Sequence, residues 1–284
     1  MFFRIYVLAK GVAGELKAGE YKLSPTMNIP EIVNKLVSGE GIKRKITIIE
    51  GWNLRDIAWY FENKGMFMAE EFFEIAGFPM IDYSQNTDLP RPKDFSQKYD
   101  FLKDKPKNLS LEGYLFPDTY EISSEEHLEQ IIGKMLANFG KKLTPNLRKE
   151  TAKQGKSIFE IITMASLLEK EVKTFEDKKI VSGILWKRLE NNIPLQVDAT
   201  ITYITGKKTT KISKRETEID SPYNTYKYAG LPLGPICNPG LESIKAAIYP
   251  KFTPYWYYLS TPEGKTIFSK TLKEHNIAKA KYLK

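Results

Sequence analysis

The stretch ITMASLLEKEV, residues 162–172, decides how this chain is interpreted, because it joins an apolar helical run to three charged side chains. On a helix with about 100° between residues, Glu169 falls inside the apolar arc. Lys170 points to the opposite, polar side, and Glu171 lies at the margin of the arc, where a flexible side chain can reach water. The arc itself contains Ile158, Ile161, Ile162, Ala165, Leu168 and Val172.

The position of Glu169 on an apolar face indicates acid chemistry. A carboxylate that loses hydration has its pKa raised toward neutrality. A glutamic acid that keeps its proton near neutral pH can donate it to a leaving oxygen, as cleavage of a glycosidic bond requires. Two structural alternatives stay open: the side chain of Glu169 turns back to water, or it pairs with a buried arginine or lysine.

The composition sets broad limits on the class of protein. With 284 residues and 42% apolar content, the chain can bury a core of one large or two modest domains. The net charge of +8 is spread along the chain, without the clustered basic stripe that nucleic-acid binding needs. The single cysteine, Cys237, excludes an intrachain disulfide, and His127 and His275 have no metal-ligand spacing, so we expect no metal and no cofactor.

Two early segments share one sequence pattern. Residues 28–33, NIPEIV, and residues 53–58, NLRDIA, both have the order Asn, apolar, any residue, acidic, Ile, apolar. Asn is a good N-cap, and Gly39 and Gly65 follow as stop signals. The strand-like runs YKL and KITII precede the two segments. Residues 19–76 therefore predict a small strand–helix duplication, with a coincidence of ordinary capping signals as the alternative.

The rest of the chain predicts a linker and a larger domain. Residues 77–110 are rich in Pro, Asp, Lys and Asn without sustained periodicity, which is typical of a connecting segment. In the following region, PYWYYLST and GKTIFSK predict two strands joined by the turn PEGK. Mixed helices and strands without regular alternation indicate an α+β fold. Helices are predicted at about 125–139, 157–174 and 176–191.

Two later segments carry side chains suited to a sugar-binding groove. In PLQVDATITY, residues 194–203, a strand would present its alternate polar groups on one face. In SPYNTYKYAGLPLGPICNPG, residues 221–240, tyrosines and an asparagine alternate with rigid glycine and proline turns. Aromatic rings stack on sugar faces, and amides bind hydroxyl groups. The candidate substrate-binding residues are Gln196, Asp198, Thr200, Tyr223, Asn224, Tyr226, Pro232 and Asn238.

Several motifs in the same order resemble the YceG-like family of endolytic murein transglycosylases. They are MASLLEKEV, VSGILWKRLENNIPLQVDATITY, SPYNTYKYAGLPLGPICNPGLESIKAAIYP and FSKTLKEHN. The resemblance is strong over residues 111–284, which implies a catalytic transglycosylase domain there. Residues 19–76, including IIEGWNLRDIA, resemble the LysM-like region of the family, which implies a LysM-like domain over residues 1–76.

The resemblance also implies a reaction. The family cleaves the β-1,4 bond between N-acetylmuramic acid and N-acetylglucosamine inside a peptidoglycan strand and leaves a 1,6-anhydromuramic end, without consuming water. The resemblance places the family's catalytic glutamate at Glu169. This residue would protonate the glycosidic oxygen and then take the proton of the muramoyl C6 hydroxyl. The implied partners are peptidoglycan glycan strands and cell-wall synthases, the penicillin-binding proteins, with a role in limiting the length of nascent strands.

Two departures from the family pattern affect these expectations. Family members usually carry a cytoplasmic tail and one membrane-spanning helix before a longer LysM-like region. The opening apolar run here is far shorter than the roughly 20 residues that cross a bilayer. We therefore expect a soluble chain that begins partway through that region, and a native single-pass protein of the inner membrane with its catalytic domain outside the cytoplasm. The family often has a histidine where this chain has Thr266.

Two other functions remain open from the residues. A peptidoglycan hydrolase could use Glu169 as acid and Asp198 as base or nucleophile, and the separation of the two carboxyl groups would decide between retaining and inverting chemistry. A non-catalytic glycan-binding protein would use the LysM-like part for docking and the remainder as a scaffold.

Overall fold

The computed structural model describes residues 1–39, 41, 43–85, 88–207 and 212–283. These residues form helices and two small antiparallel sheets joined by loops, so the predicted α+β class is confirmed. The chain packs as two compact units. The first unit contains Met1–Thr47 and Thr119–Lys134, and the second contains Ile48–Asp118 and Met135–Lys284. The predicted functional division into residues 1–76, 77–110 and 111–284 stays a prediction.

The first unit combines two helices with one two-stranded sheet. Its elements include α1 (Phe2–Lys10), α2 (Ile29–Ser38), β1 (Lys43–Thr47) and β2 (Thr119–Ser123). The strands β1 and β2 pair antiparallel, with Ile46 opposite Tyr120. Helix α2 starts as predicted, because the Asn28 side chain accepts a hydrogen bond from the Glu31 amide, and the Glu31 carboxylate accepts one from the Asn28 amide. Gly39, with φ of 73°, ends it.

The predicted strand at residues 21–23, YKL, is wrong. The Tyr21 hydroxyl donates to the Lys17 carbonyl, and Lys35 Nζ donates to the Lys22 carbonyl. A short alternating run becomes a strand only where a neighbouring strand completes its hydrogen bonds. The run KITII does overlap a strand, since β1 finds its partner β2 far away in the sequence.

The second unit is mainly helical. Its helices are α3 (Leu54–Asn63), α4 (Ala69–Ala76), α6 (Pro145–Lys153), α7 (Ile158–Glu171), α8 (Phe175–Glu190), α9 (Asp198–Thr205), α10 (Leu241–Ile248) and α11 (Leu272–Tyr282). Helix α5 (Leu128–Lys142) begins in the first unit and ends in the second. The three helices predicted after residue 111 are confirmed as α5, α7 and α8. Among the described residues, no helix has both the length and the apolar composition that crossing a bilayer requires.

Helix α7 is the central helix of the second unit. It packs against α6, α8, α9 and α10. Ser157 caps its start through a reciprocal pair of hydrogen bonds with Glu160. Every residue from 161 to 168 is buried. Neighbouring elements therefore surround α7 on several sides, and its end must place charged side chains among them.

The segment 194–203 contains a helix where a strand was predicted. Helix α9 begins at Asp198, and its first turn is tightened by a hydrogen bond of 2.8 Å from Thr200 Oγ1 to the Val197 carbonyl. The helix ends at Gly206, which adopts a left-handed conformation with φ of 68°. The alternating pattern is compatible with either structure, and packing against α7 stabilises the helix.

The end of the chain forms the predicted hairpin. Strands β3 (Tyr257–Ser260) and β4 (Thr266–Ser269) pair antiparallel, with Tyr258 opposite Phe268. In the turn, the Thr261 amide donates to the Lys265 carbonyl, and Gly264 has φ of 82°. This hairpin brings the side chain of Tyr258 to the end of α7.

Glu112 is a buried carboxyl group on which three parts of the second unit converge. One of its oxygens accepts hydrogen bonds of 3.1 Å from the Leu54 amide and 3.1 Å from the Tyr203 hydroxyl. The other lies 3.4 Å from Asn238 Nδ2. Burial raises the pKa of Glu112 to about 8, and this effect outweighs the hydrogen bonds, which lower it. The folded protein therefore keeps this carboxyl group protonated at neutral pH.

We predict that Glu112→Gln flattens the pH dependence of stability. The unfolded chain releases the Glu112 proton near pH 4.5, whereas the folded chain keeps it up to about pH 8. The contribution of Glu112 to the free energy of unfolding therefore falls as the pH rises through this window, by at most about 1.4 kcal/mol per pH unit. Glutamine does not titrate, so the free energies of unfolding of wild type and variant, measured in urea, should converge or cross as the pH rises.

The exposed acid Glu70, on helix α4, supplies the control for this experiment. Glu70→Gln is the same substitution at an exposed position, so Glu112→Gln should change the slope of stability against pH by more than Glu70→Gln does. Parallel curves for wild type and Glu112→Gln would contradict the prediction.

Candidate functional site

The last turn of α7 sends its charged side chains in different directions. Glu169 Oε1 accepts a hydrogen bond of 3.1 Å from Lys178 Nζ of α8. Its Oε2 accepts bonds of 2.8 Å from the Gly240 amide and 2.6 Å from Ser243 Oγ, at the start of α10. The side chains of Glu169 and Lys178 are 9% and 5% exposed. Glu169 thus joins α7 to α8 and caps α10.

The predicted position of Glu169 on the buried side of α7 is confirmed, but its surroundings are not simply apolar. An ammonium group and two neutral donors surround the carboxylate and bind both of its oxygens. This is the pairing with a buried lysine that the sequence left open. Lys170 is exposed, as predicted, and its Nζ lies 3.3 Å from the Gly51 carbonyl.

Glu171 has the environment that was expected for Glu169. Its Oε2 accepts a hydrogen bond of 3.1 Å from the Tyr258 hydroxyl, and its Oε1 lies 3.5 Å from the Ala199 amide. Burial, and then the negative charge of Asp198, raise the pKa of Glu171 to about 7. Ser260 Oγ donates to the Glu171 carbonyl at 3.1 Å and fixes the end of the helix. Glu171 therefore exchanges a proton near neutral pH.

Two of the predicted substrate-binding residues, Asp198 and Tyr226, lie close enough to Glu171 to interact with it electrostatically. Asp198 is exposed at the start of α9, and the Tyr226 hydroxyl donates a hydrogen bond to its carboxylate. Gln196 is also exposed and has a left-handed backbone with φ of 52°, which is uncommon for a residue other than glycine. The backbone amide of Gln196 donates a hydrogen bond of 2.9 Å to the Thr225 carbonyl, which joins the loop before α9 to the tyrosine-rich loop.

The other predicted substrate-binding residues are buried. Asn238 accepts a hydrogen bond from the Leu115 amide at 2.9 Å and donates to the Trp52 carbonyl at 3.0 Å. Asn224 donates to two backbone carbonyls and accepts from the Tyr226 amide at 2.9 Å. In the structure they brace the loops beneath the exposed groups. Thr200, Tyr223, Asn224, Pro232 and Asn238 are the buried members of the predicted set.

Sequence reasoning gave Glu171 and Tyr258 too little weight. Residues 161–168 are nearly all apolar or small, and a helix that is apolar on every side is buried on every side. A helical wheel of such a helix does not show which of the two glutamates is the more buried. No local pattern indicates a role for Tyr258, because its contact with Glu171 depends on the packing of a hairpin far along the chain. Thr266, which stands where the family often has a histidine, donates a hydrogen bond of 2.9 Å from its Oγ1 to the Asp177 carboxylate.

Comparisons with known proteins agree with the motifs. A model of the YceG-like family matches residues 1–281. The chain belongs to the YceG-like family. An endolytic murein transglycosylase of Bacillus subtilis is 36% identical over 283 residues, which are 99% of this chain and 77% of that relative.

Two further relatives extend the comparison of this YceG-like chain. An endolytic murein transglycosylase of Streptococcus pneumoniae is 32% identical over 304 residues, covering 97% of this chain and 52% of the relative. The chain thus spans about half the length of the pneumococcal protein. A crystal structure of a YceG-like protein from Listeria monocytogenes superposes with a TM-score of 0.70 at 35% identity, covering 98% of this chain and 89% of that chain.

We predict that Asp198→Asn lowers the pKa of Glu171 below its wild-type value of about 7. The Asp198 charge disfavours ionisation of Glu171, so a neutral side chain of the same shape removes that repulsion. The measurement is an NMR titration of the Glu171 side-chain carboxyl carbon in wild type and variant.

Asp220 offers a matched control in the same loop region. It accepts a hydrogen bond from the Tyr228 hydroxyl, as Asp198 does from Tyr226. Asp220→Asn should leave the Glu171 titration where it is in wild type. Equal Glu171 titrations in the Asp198 variant and wild type would show that Asp198 does not act on Glu171.

Proposed function

We propose that this YceG-like chain is an endolytic murein transglycosylase that cleaves peptidoglycan glycan strands. Membership of the family and the names of its relatives support the substrate and the reaction class. The observation that carries the chemistry is the carboxyl group of Glu171, with a pKa of about 7, beside Asp198 and Tyr258. A catalyst that must act as acid and then as base works best with a pKa near the operating pH.

In the proposed first step, Glu171 gives its proton to the oxygen of the β-1,4 bond between N-acetylmuramic acid and N-acetylglucosamine. The bond from muramoyl C1 to that oxygen breaks, and positive charge develops at C1. The negative charge of Asp198 lies near enough to Glu171 to raise its pKa, and it also favours a developing positive charge at the same site.

In the second step, the muramoyl C6 hydroxyl attacks C1, and the Glu171 carboxylate takes the hydroxyl proton. The sugar closes to the 1,6-anhydro form, and Glu171 returns to its protonated state. No water is consumed, because the same carboxyl group gives up one proton in the first step and takes one back in the second. A single group that acts in both directions satisfies microscopic reversibility.

Two exposed residues and a half-buried tyrosine are the proposed contacts to the glycan. Asp198 and Tyr226, which interact electrostatically with Glu171, supply a carboxylate and an aromatic ring, and the exposed Gln196, two positions before Asp198, supplies an amide. The substrate-binding role predicted for the buried residues is proposed to be indirect, through the loops that they hold. The catalytic role predicted for Glu169 stays a prediction, and the ion pair with Lys178 favours a structural role for it.

We predict that Glu171→Gln abolishes the release of anhydromuramic products, with a loss of about 10²- to 10⁴-fold because the amide has no proton to donate as an acid. Its melting temperature should stay close to that of wild type. Mass spectrometry of digested peptidoglycan measures the products, and circular dichroism checks the fold.

Glu169→Gln is the matched comparison on the same helix. It leaves Lys178 buried without its partner, which costs about 3–5 kcal/mol of stability. We expect its main defect in thermal unfolding rather than in the products formed. A folded but inactive Glu169→Gln together with an active Glu171→Gln would assign the acid to Glu169 instead.

The pair formed by Glu171 and Asp198 also favours a second candidate, a two-carboxylate hydrolase. In that reaction Asp198 would act as nucleophile or base, and water would enter the product. The same mass spectrometry separates the two functions, since hydrolysis leaves reducing ends and transglycosylation leaves anhydro ends. A wild-type protein that binds glycan strands but releases neither product would be a glycan-binding protein.

We also propose the cellular setting that the family suggests. The catalytic region would act outside the cytoplasm on nascent strands, near the cell-wall synthases, and would limit strand length. A membrane anchor in the native protein belongs to this proposal. Crosslinking of the native protein in cells, followed by identification of penicillin-binding proteins, tests the proximity to the synthases.

A further inference from the structure

Arg188, on helix α8, is a buried cation that contacts two segments of the site at once. The residue is 6% exposed. Its Nε donates to the Trp256 carbonyl at 3.0 Å, and its Nη1 donates to the Leu195 carbonyl at 2.9 Å. The guanidinium lies 5.1 Å from the centre of the Tyr257 ring. Within the part of the chain that the structure describes, the titratable groups that act on Arg188 are tyrosines, and no carboxylate forms an ion pair with it.

The two segments that Arg188 joins carry the groups that act on Glu171. The Leu195 carbonyl lies in the loop that leads into Asp198, and the Trp256 carbonyl precedes the strand that carries Tyr258. Asp198 acts on Glu171 through its charge, and the Tyr258 hydroxyl binds its carboxyl group. The loop and the strand are far apart in the sequence, so a side chain between them controls their spacing.

We propose that Arg188 is the positioning residue that holds Asp198 and Tyr258 against Glu171. This inference rests on the proposed function, because the spacing matters for activity only if Glu171 is the acid. A guanidinium is planar and presents its donors in a fixed fork, so it can bind two carbonyl groups in one defined geometry. A lysine ammonium at the same place keeps the charge but loses that fork.

The groups around Glu171 come from several elements. From α9 it faces Asp198 and the Ala199 amide, and from β3 it faces the Tyr258 hydroxyl. Arg188 approaches from α8 and acts electrostatically on the tyrosines of the site, which are Tyr226, Tyr257 and Tyr258. The Glu171 titration therefore reports on the position of Asp198, and Arg188 influences it through the backbone of the neighbouring loop.

The test is a double-mutant cycle between Arg188→Lys and Asp198→Asn, with kcat/KM for anhydro-product release measured against pH. In an otherwise wild-type chain, Asp198→Asn should move the alkaline limb of the profile to lower pH. We expect Arg188→Lys alone to move the limb in the same direction and to lower kcat by about 10²-fold, since small misplacements of catalytic groups have effects of this size. In a chain that already carries Arg188→Lys, adding Asp198→Asn should shift the alkaline limb only slightly further toward low pH.

Lys187, the neighbour of Arg188 on α8, provides the control. Its Nζ donates to the Thr253 carbonyl at 2.9 Å and to the Tyr255 carbonyl at 2.5 Å, and it lies 4.2 Å from the centre of the Trp256 ring. It therefore binds the segment before β3 in a similar way, whereas among the described residues it forms no hydrogen bond to the loop before α9. Lys187→Met should keep the wild-type pH profile even if its melting temperature falls.

Several outcomes overturn the proposal. Shifts that add in the double variant would show that Arg188 does not act through Asp198, and a wild-type profile for Arg188→Lys would show that the fork is not needed. If Arg188→Lys does not fold, Arg188→Gln takes its place. If neither variant folds, the role of Arg188 is general stability and the proposal fails. An active Glu171→Gln would instead refute the proposed function, whatever the cycle shows.

Discussion

Burial of helix α7 is the constraint on which the candidate site depends. Because neighbouring helices surround it, a charged side chain near its end must reach water or find a partner inside the protein. Glu169 finds the ammonium of Lys178 and two donors at the start of α10. Glu171 finds a tyrosine hydroxyl and a second carboxylate instead. The packing partners, rather than the helix itself, give the two glutamates different chemistry.

The two glutamates have contrasting partners. Glu169 pairs with the ammonium of Lys178, whereas Glu171 lies beside the negative charge of Asp198 in a poorly hydrated place, which keeps its carboxyl group protonated to higher pH. Only one residue, Lys170, separates Glu169 from Glu171 along one helix. The protein therefore places an ion pair and the proposed proton donor within a single turn, and the ion pair helps to fix the helix that carries Glu171.

Local signals predicted much of the fold. Helices α2 and α3 begin directly after their caps Asn28 and Asn53, because the capping bonds involve residues only three positions apart. The terminal hairpin formed as predicted for a similar reason, since its two strands are joined by a short turn. The strands predicted at residues 21–23 and 194–203 failed because strand formation depends on a partner elsewhere, which a local alternating pattern does not provide.

The sequence by itself determined the family through the order of its motifs, the α+β class, and the helix that carries the candidate carboxylates. Only the tertiary structure decided which loop residues are exposed and which brace the loops from below. It also decided that the pKa of Glu171 is raised to about 7. The physical reason is that hydration and nearby charge set the protonation of a carboxyl group, and both depend on side chains such as Asp198, Lys178 and Tyr258 that folding brings together from distant parts of the chain.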